Sequence, residues 1–181
     1  TDLWLWSTDG KIERVAPSTE SLAAQRTLDA RGNLVVPGFI DVHIQGAGGA
    51  DVLDASPAAI ATIARTCARF GVTGFLATTV FRPGGDNRHL PVVAELTGTD
   101  LDGARLLGTH LEGPFISPQK RGMIQPDCIG LPGEQTLGQI EASLRGTLRM
   151  MTLAPELPGS LPLIRHLVSA ACVAAIAHSS A

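Results

Sequence analysis

The sequence is poor in cysteine, in net charge and in long apolar runs, and each shortage excludes a class of protein. Its 181 residues include three cysteines, which lie far apart without a CxxC pair, and this excludes a disulfide framework and a structural zinc ribbon. The net charge is −3 and the basic residues are scattered, so we expect no nucleic-acid partner. No apolar run approaches the roughly 18 residues of a membrane span, so we expect no membrane partner.

These shortages leave a small molecule as the expected partner and the cytoplasm as the expected location. The first residues show no basic segment ahead of an apolar run, so we expect no secretory leader. A hydrophobic fraction of 44% and a mean hydropathy of +0.19 indicate a globular chain that can bury a core.

Strands alternate with helices from Pro37 onward, as in a parallel α/β domain. The clearest predicted helix spans 57–70, with Ser56 as N-cap, Pro57 at its first position and Gly71 after its end. Further helices are predicted near 87–96, 133–144 and 161–171. The five predicted strands are 39–44, 74–80, 106–111, 148–153 and 173–177.

The residues before Pro37 have a different pattern. An apolar strand, an Asp9-Gly10 turn and a second alternating stretch predict a hairpin over 3–15. Another short strand is predicted at Leu34–Val36. We therefore predict a separate β segment over 1–36, followed by the main domain over 37–181.

Two architectures are compatible with five parallel strands. One is a self-contained doubly wound sheet. The other is the first part of a TIM-like β/α barrel, which needs eight strands to close. We favour the incomplete barrel, because polar residues cluster at the strand ends while the set of candidate functional residues looks incomplete. We also expect the 181 residues to be part of a longer protein.

Glu112 is the residue around which we interpret the site. It follows the apolar strand in LLGTHLEGPFI, shares a strand face with His110, and stands opposite Leu111. A glutamate near the end of a buried strand needs a partner. Backbone amides or an arginine would satisfy it, and so would a metal ion.

Other metal-ligand residue types lie at the carboxyl ends of other strands. Asp41, His43 and Gln45 are predicted to share a face at the end of the first strand, and His178 ends the fifth. Carboxylate and imidazole ligands from separate strands, with an open position for water, are typical of a catalytic divalent metal and favour amide hydrolysis. A single histidine at a strand end is more often structural, but several together are harder to explain that way.

Three further residues are given ordinary roles. His89 and His166 lie in helical stretches and are predicted to be surface residues. Glu156 follows a proline and is predicted to anchor a loop or to favour a helix N-terminus.

Four sequence blocks, in order, carry a family resemblance. The chain resembles the N-terminal half of the N-acetylglucosamine-6-phosphate deacetylases, members of the amidohydrolase superfamily. The blocks are VPGFIDVHIQGAGGAD at 36–51, GTHLEGPFISPQKRG at 108–122, TLAPE at 152–156 and AHSSA at 177–181.

The resemblance implies a small β-sandwich beside a β/α barrel, with residues 1–36 as part of the sandwich. It implies that Glu112 and His178 are metal ligands. His43 stands where some members have the first histidine of a second metal site, but Gln45 replaces the second histidine. We therefore expect one divalent transition metal per chain, namely zinc, iron, manganese or cobalt.

The resemblance also implies the reaction, in which a metal-bound water attacks the acetamide of an amino-sugar phosphate. The general-base aspartate, a third metal ligand and the phosphate-binding groups are expected beyond Ala181, so the 181 residues alone are expected to be inactive. Gly122, Met123, Ile124 and His110 are expected at the substrate, although Ile124 cannot donate a hydrogen bond to a sugar. The resemblance also implies that the full-length protein is a homodimer.

Two rival functions remain open from the sequence. The scaffold also occurs in cyclic amidases and deaminases, but HLEGPF argues against those groups. The other rival is a non-catalytic protein that binds a sugar phosphate.

Overall fold

The computed structural model describes residues 3–20 and 23–181. The chain divides into two compact units, Thr1–Pro37 and Gly38–Ala181. Within the described residues, no helix has the length and apolar character needed to cross a membrane.

The first unit contains the predicted hairpin. Strands β1 (Leu3–Thr8) and β2 (Lys11–Pro17) pair antiparallel, and Asp9 and Gly10 both have positive φ at the turn. The predicted strand at Leu34–Val36 is wrong, because these residues pair with no neighbour and Leu34 is 87% exposed. An apolar run forms a strand only where a neighbouring strand pairs with its backbone N–H and C=O groups. The hairpin is the one sheet among the described residues of this unit, so a β-sandwich is not shown.

The second unit is built on a curled sheet of five parallel strands. The five strands lie side by side in the same order as they occur along the chain, namely β3-β6-β7-β8-β9. A doubly wound sheet reverses its strand order, so this alternative is wrong, and the sequential order is that of a partial β/α barrel. The strands are β3 (Phe39–Ile44), β6 (Val72–Thr79), β7 (Arg105–Glu112), β8 (Leu148–Leu153) and β9 (Val173–Ile176), with β4 (Gly46–Ala47) and β5 (Ala50–Asp51) forming a small ribbon.

All four predicted helices are confirmed within two residues at each end. The hydroxyl of Ser56 accepts a hydrogen bond from the Ala59 N–H, and Pro57 occupies the first turn, as the capping rules predict. The helices are α1 (Pro57–Arg69), α2 (His89–Leu96), α3 (Glu134–Leu144) and α4 (Ser160–Ser169).

A bulge in β7 decides which side chains face the helices. Leu106 and Leu111 both pack into clusters on the helix side, although strict alternation over five positions would place them on opposite faces. The pairing with β6 slips next to Gly108, whose φ is +146° and where a Cβ would approach the Thr147 carbonyl oxygen to 2.5 Å. The slip turns His110 and Glu112 to the opposite face of the sheet, away from the helices, which we call the inner face.

Candidate functional site

Glu112 lies at the carboxyl end of β7, and its side chain is only 8% exposed. The Gln45 amide Nε2 donates to its Oε2 at 2.6 Å, and His43 Nε2 is 3.8 Å from the same oxygen. His178 Nε2 is 3.3 Å from Oε1. Among the described residues neither an arginine nor a backbone amide hydrogen-bonds this carboxylate, so the two ordinary explanations for a buried glutamate do not apply.

His178 presents its Nε2 towards Glu112. Its Nδ1 lies 2.8 Å from the Lys120 carbonyl oxygen, and since a carbonyl can only accept, Nδ1 carries the proton and donates it. Nε2 then faces Glu112 Oε1 at 3.3 Å, and this contact is favourable when a cation lies between the two atoms, either a second proton on the ring or a metal ion. Histidines that bind metals ordinarily donate their other N–H to such a carbonyl or carboxylate.

A second bulge, in β3, separates the residues that follow it. Asp41 pairs with Phe75 and Ile44 with Ala77, so two residues of β3 oppose one of β6. Asp41 and Ile44 therefore lie on the helix side, and the prediction that Asp41 shares a face with His43 and Gln45 is wrong. His43 and Gln45 reach the inner face beside Glu112.

His110 is a buried link across the sheet. It is 3% exposed, its Nδ1 donates to the Val42 carbonyl at 2.9 Å, and its Nε2 accepts from the Thr152 hydroxyl at 2.9 Å. Burial lowers the pKa of His110, because desolvation disfavours the charged ring. Both nitrogens are engaged, so the ring joins β3, β7 and β8, and its edge packs against His43 with ring centroids 5.1 Å apart.

The loop after β7 places its three predicted substrate residues differently. Met123 is 90% exposed, whereas Ile124 is buried against Ile116 and Cys128 inside the loop. Gly122 has φ +58°, and a Cβ there would lie 3.5 Å from Cε1 of His178. Gly122 thus borders His178, Met123 is open to solvent, and the Ile124 side chain is occupied in packing.

The interpretation of the sequence missed the groups that hold His178. The Lys120 carbonyl is a backbone group, which no residue type announces. Glu156, predicted as a loop anchor, accepts hydrogen bonds from Ser179 and Ser180, and the residue pattern gave no hint of these partners.

The two helical histidines differ. His166 is half exposed and pairs with Glu141, as a surface residue does. The surface prediction for His89 is wrong: it is 4% exposed and its Nε2 donates to the Val80 carbonyl at 3.0 Å.

The described residues contain no convergent set of three or more His, Cys, Asp or Glu side chains. Glu112 and His178 supply two ligands of the kind a divalent metal uses, and a catalytic centre ordinarily has three from the protein. The ligand roles of Glu112, His178, His43 and Gln45 stay predictions.

Comparison with known proteins places this site in a family context, although no family model matches the chain. An N-acetylglucosamine-6-phosphate deacetylase of Bacillus subtilis is 34% identical over 178 residues, covering 96% of this chain and 45% of the relative. An N-acetylgalactosamine-6-phosphate deacetylase of Escherichia coli O157:H7 is 35% identical over 174 residues, with the same coverage. The chain is homologous to these deacetylases. It spans slightly less than half the length of these curated relatives, and the resemblance carried by the four sequence blocks is confirmed.

Solved deacetylase structures share the fold. That of N-acetyl-D-glucosamine-6-phosphate deacetylase from Mycobacterium smegmatis superposes with a TM-score of 0.87 at 32% identity, over 99% of this chain and 46% of the other. A variant of the same mycobacterial deacetylase, in complex with N-acetyl-D-glucosamine-6-phosphate, has a TM-score of 0.85.

Proposed function

We propose that the protein carrying this chain hydrolyses the acetamide of an N-acetylhexosamine 6-phosphate. One water molecule is consumed, the C–N bond of the amide breaks, and acetate and the amino-sugar phosphate are released. The observation that carries the proposal is the Glu112–His178 pair, whose carboxylate oxygen and Nε2 face each other at the carboxyl end of a parallel sheet, where β/α barrels build active sites.

The donor chemistry at this pair fits a divalent transition metal. Glu112 offers a carboxylate oxygen, and His178 offers Nε2 from a ring whose Nδ1–H is fixed by Lys120. When bound, such a metal lowers the pKa of a coordinated water and polarises the amide carbonyl. We propose that the third ligand, the general base and the phosphate-binding groups come from outside the 181 residues, since the relatives are about twice as long.

One metal ion per chain agrees best with Gln45. Its amide Nε2 donates to Glu112 Oε2, so it directs a proton rather than a lone pair at the carboxylate. His43 alone then offers an imidazole to any second ion. In this arrangement Gln45 fixes the Glu112 carboxylate by a hydrogen bond, and His110 links β7 to β3 and β8.

The relatives support a hexosamine phosphate and leave its epimer open. Their names include both the glucosamine and the galactosamine 6-phosphate deacetylase, and one structure contains the glucosamine compound. Gly122 and Met123 are proposed to contact the sugar, because Gly122 borders His178 and Met123 is open to solvent. A homodimer, a β-sandwich completed by further residues, and a cytoplasmic location that suits three free buried thiols are part of the same proposal.

Acetate release from both N-acetylhexosamine 6-phosphates tests the proposal. The intact protein, stripped of metal and reloaded with zinc, manganese, iron or cobalt, is expected to release acetate in proportion to bound metal. Glu112→Gln should abolish release. Glu141→Gln is the matched control, since Glu141 also pairs with a histidine but lies exposed on α3. Sugar-phosphate binding without acetate release would favour a non-catalytic binding protein instead.

A further inference from the structure

The segment that carries His178 has a backbone conformation that needs support. His178 has φ +51°, in the left-handed region that non-glycine residues seldom adopt. Such a conformation costs free energy and persists where surrounding contacts hold it. The direction of its Nε2 therefore depends on what fixes residues 178–180.

Glu156 holds this segment from one side with both carboxylate oxygens. Oε2 accepts from the Ser179 hydroxyl at 2.8 Å, and Oε1 accepts from the Ser180 backbone N–H at 2.6 Å. The bond from the Ser180 N–H lowers the pKa of Glu156 below its usual value. Both oxygens are thus occupied by the chain that follows His178.

Ser117, on the loop after β7, holds the segment from another side. Its backbone N–H donates to the His178 carbonyl at 2.9 Å, and its hydroxyl lies 2.9 Å from the Ser180 hydroxyl. Ser117 and Glu156 come from the loops after two adjacent strands, β7 and β8. The His178 segment is therefore held by the loops after the two strands that precede β9 in the sheet.

We propose that Glu156 is a positioning residue, which fixes Ser179 and Ser180 and thereby directs the His178 Nε2 at Glu112. The inference rests on the proposed metal site and adds a residue to it. Glu156 touches neither Glu112 nor His178 through any hydrogen bond in the structure, so it acts through the backbone rather than as a ligand.

Cobalt binding by the intact protein tests this role, with the visible absorption of Co²⁺ reporting both affinity and coordination geometry. Glu156→Ala leaves the Ser180 N–H without its acceptor, and we expect affinity to fall roughly 10- to 100-fold, the usual cost of losing a group that orients a ligand. In Glu156→Gln the amide oxygen accepts from Ser180 and the amide nitrogen donates to the Ser179 hydroxyl. That variant should bind cobalt almost as the unaltered protein does.

Controls separate positioning from general destabilisation. Glu141→Ala removes an exposed carboxylate from α3 and should leave cobalt affinity and spectrum unchanged. Ser179→Ala, which removes one of the two hydrogen bonds, should give a smaller loss than Glu156→Ala and serves if the latter fails to fold. The unfolding temperature of each metal-free variant is measured beside its affinity.

The outcomes distinguish this inference from the proposed function. Absence of cobalt binding in the unaltered protein would overturn both. Normal cobalt binding by Glu156→Ala, or by Ser179→Ala where Glu156→Ala is unfolded, would overturn the positioning role alone. Equal losses in Glu156→Gln and Glu156→Ala would also overturn it, because charge rather than hydrogen-bond geometry would then matter.

Discussion

Replacing Glu112 by glutamine should separate metal binding from folding, because it removes a charged ligand and keeps a side chain that can hydrogen-bond the same two neighbours. In the metal-free protein a glutamine can still accept from Gln45 through its oxygen. Its amide nitrogen can donate to the His178 Nε2 that now faces a carboxylate oxygen at 3.3 Å. The metal-free variant should therefore stay within about 1 kcal/mol of the unaltered protein, the usual net value of one hydrogen bond.

Metal should then stabilise the unaltered protein and not the variant. A metal that binds only the native state adds about 2.7 kcal/mol at a concentration 100 times its Kd. The relatives are about twice as long as this chain, and for an intact protein of that size each kcal/mol raises the Tm by roughly 1–2 °C, so the expected shift is about 3–5 °C. Glu112→Gln loses the charged ligand and should show almost no shift.

Thermal unfolding with and without zinc or cobalt, followed by circular dichroism, measures both effects. Glu141→Gln is the control, and it should keep the full metal-dependent shift. An equal shift in Glu112→Gln and the unaltered protein would refute the ligand assignment. A loss of metal-free stability much larger than about 1 kcal/mol in Glu112→Gln would contradict the expectation that glutamine keeps both hydrogen bonds.

Three further predictions follow from single residues. Gln45→His should raise the ratio of bound metal to protein above one by elemental analysis, and an unchanged ratio would contradict a second site beside His43. Burial lowers the pKa of His89 from 6.5, so the stability contributed by its neutral ring is present above pH 6.5 and is lost as the pH falls through the pKa of the folded state. His89→Asn should therefore reduce the fall in the free energy of unfolding at acid pH, as measured by urea unfolding. Burial raises the pKa of Cys172 to about 11, so at about pH 8 its thiol should react with a disulfide reagent only on unfolding, and immediate labelling would contradict this.

Local patterns allowed most of the second unit to be predicted. Helix α1 follows from a capping serine and a first-turn proline, and the five parallel strands follow from short apolar runs between helices. Where a local pattern lacked a partner the prediction was wrong, as at Leu34–Val36, which has strand-like residues but no neighbouring strand. His89 was misplaced for a related reason, since a histidine in a helical stretch can be buried when a nearby carbonyl accepts its proton.

Residue type and position alone determined that Glu112 ends a buried strand and that His43, Gln45 and His178 lie at the carboxyl ends of two other strands. Only the tertiary structure decided which of them meet, because two bulges set the faces and excluded Asp41. His178 reaches Glu112 across 66 positions of sequence, and its proton is held by a backbone carbonyl of the loop between them. Such contacts depend on strand register and loop path, whereas periodicity and capping act over a few residues.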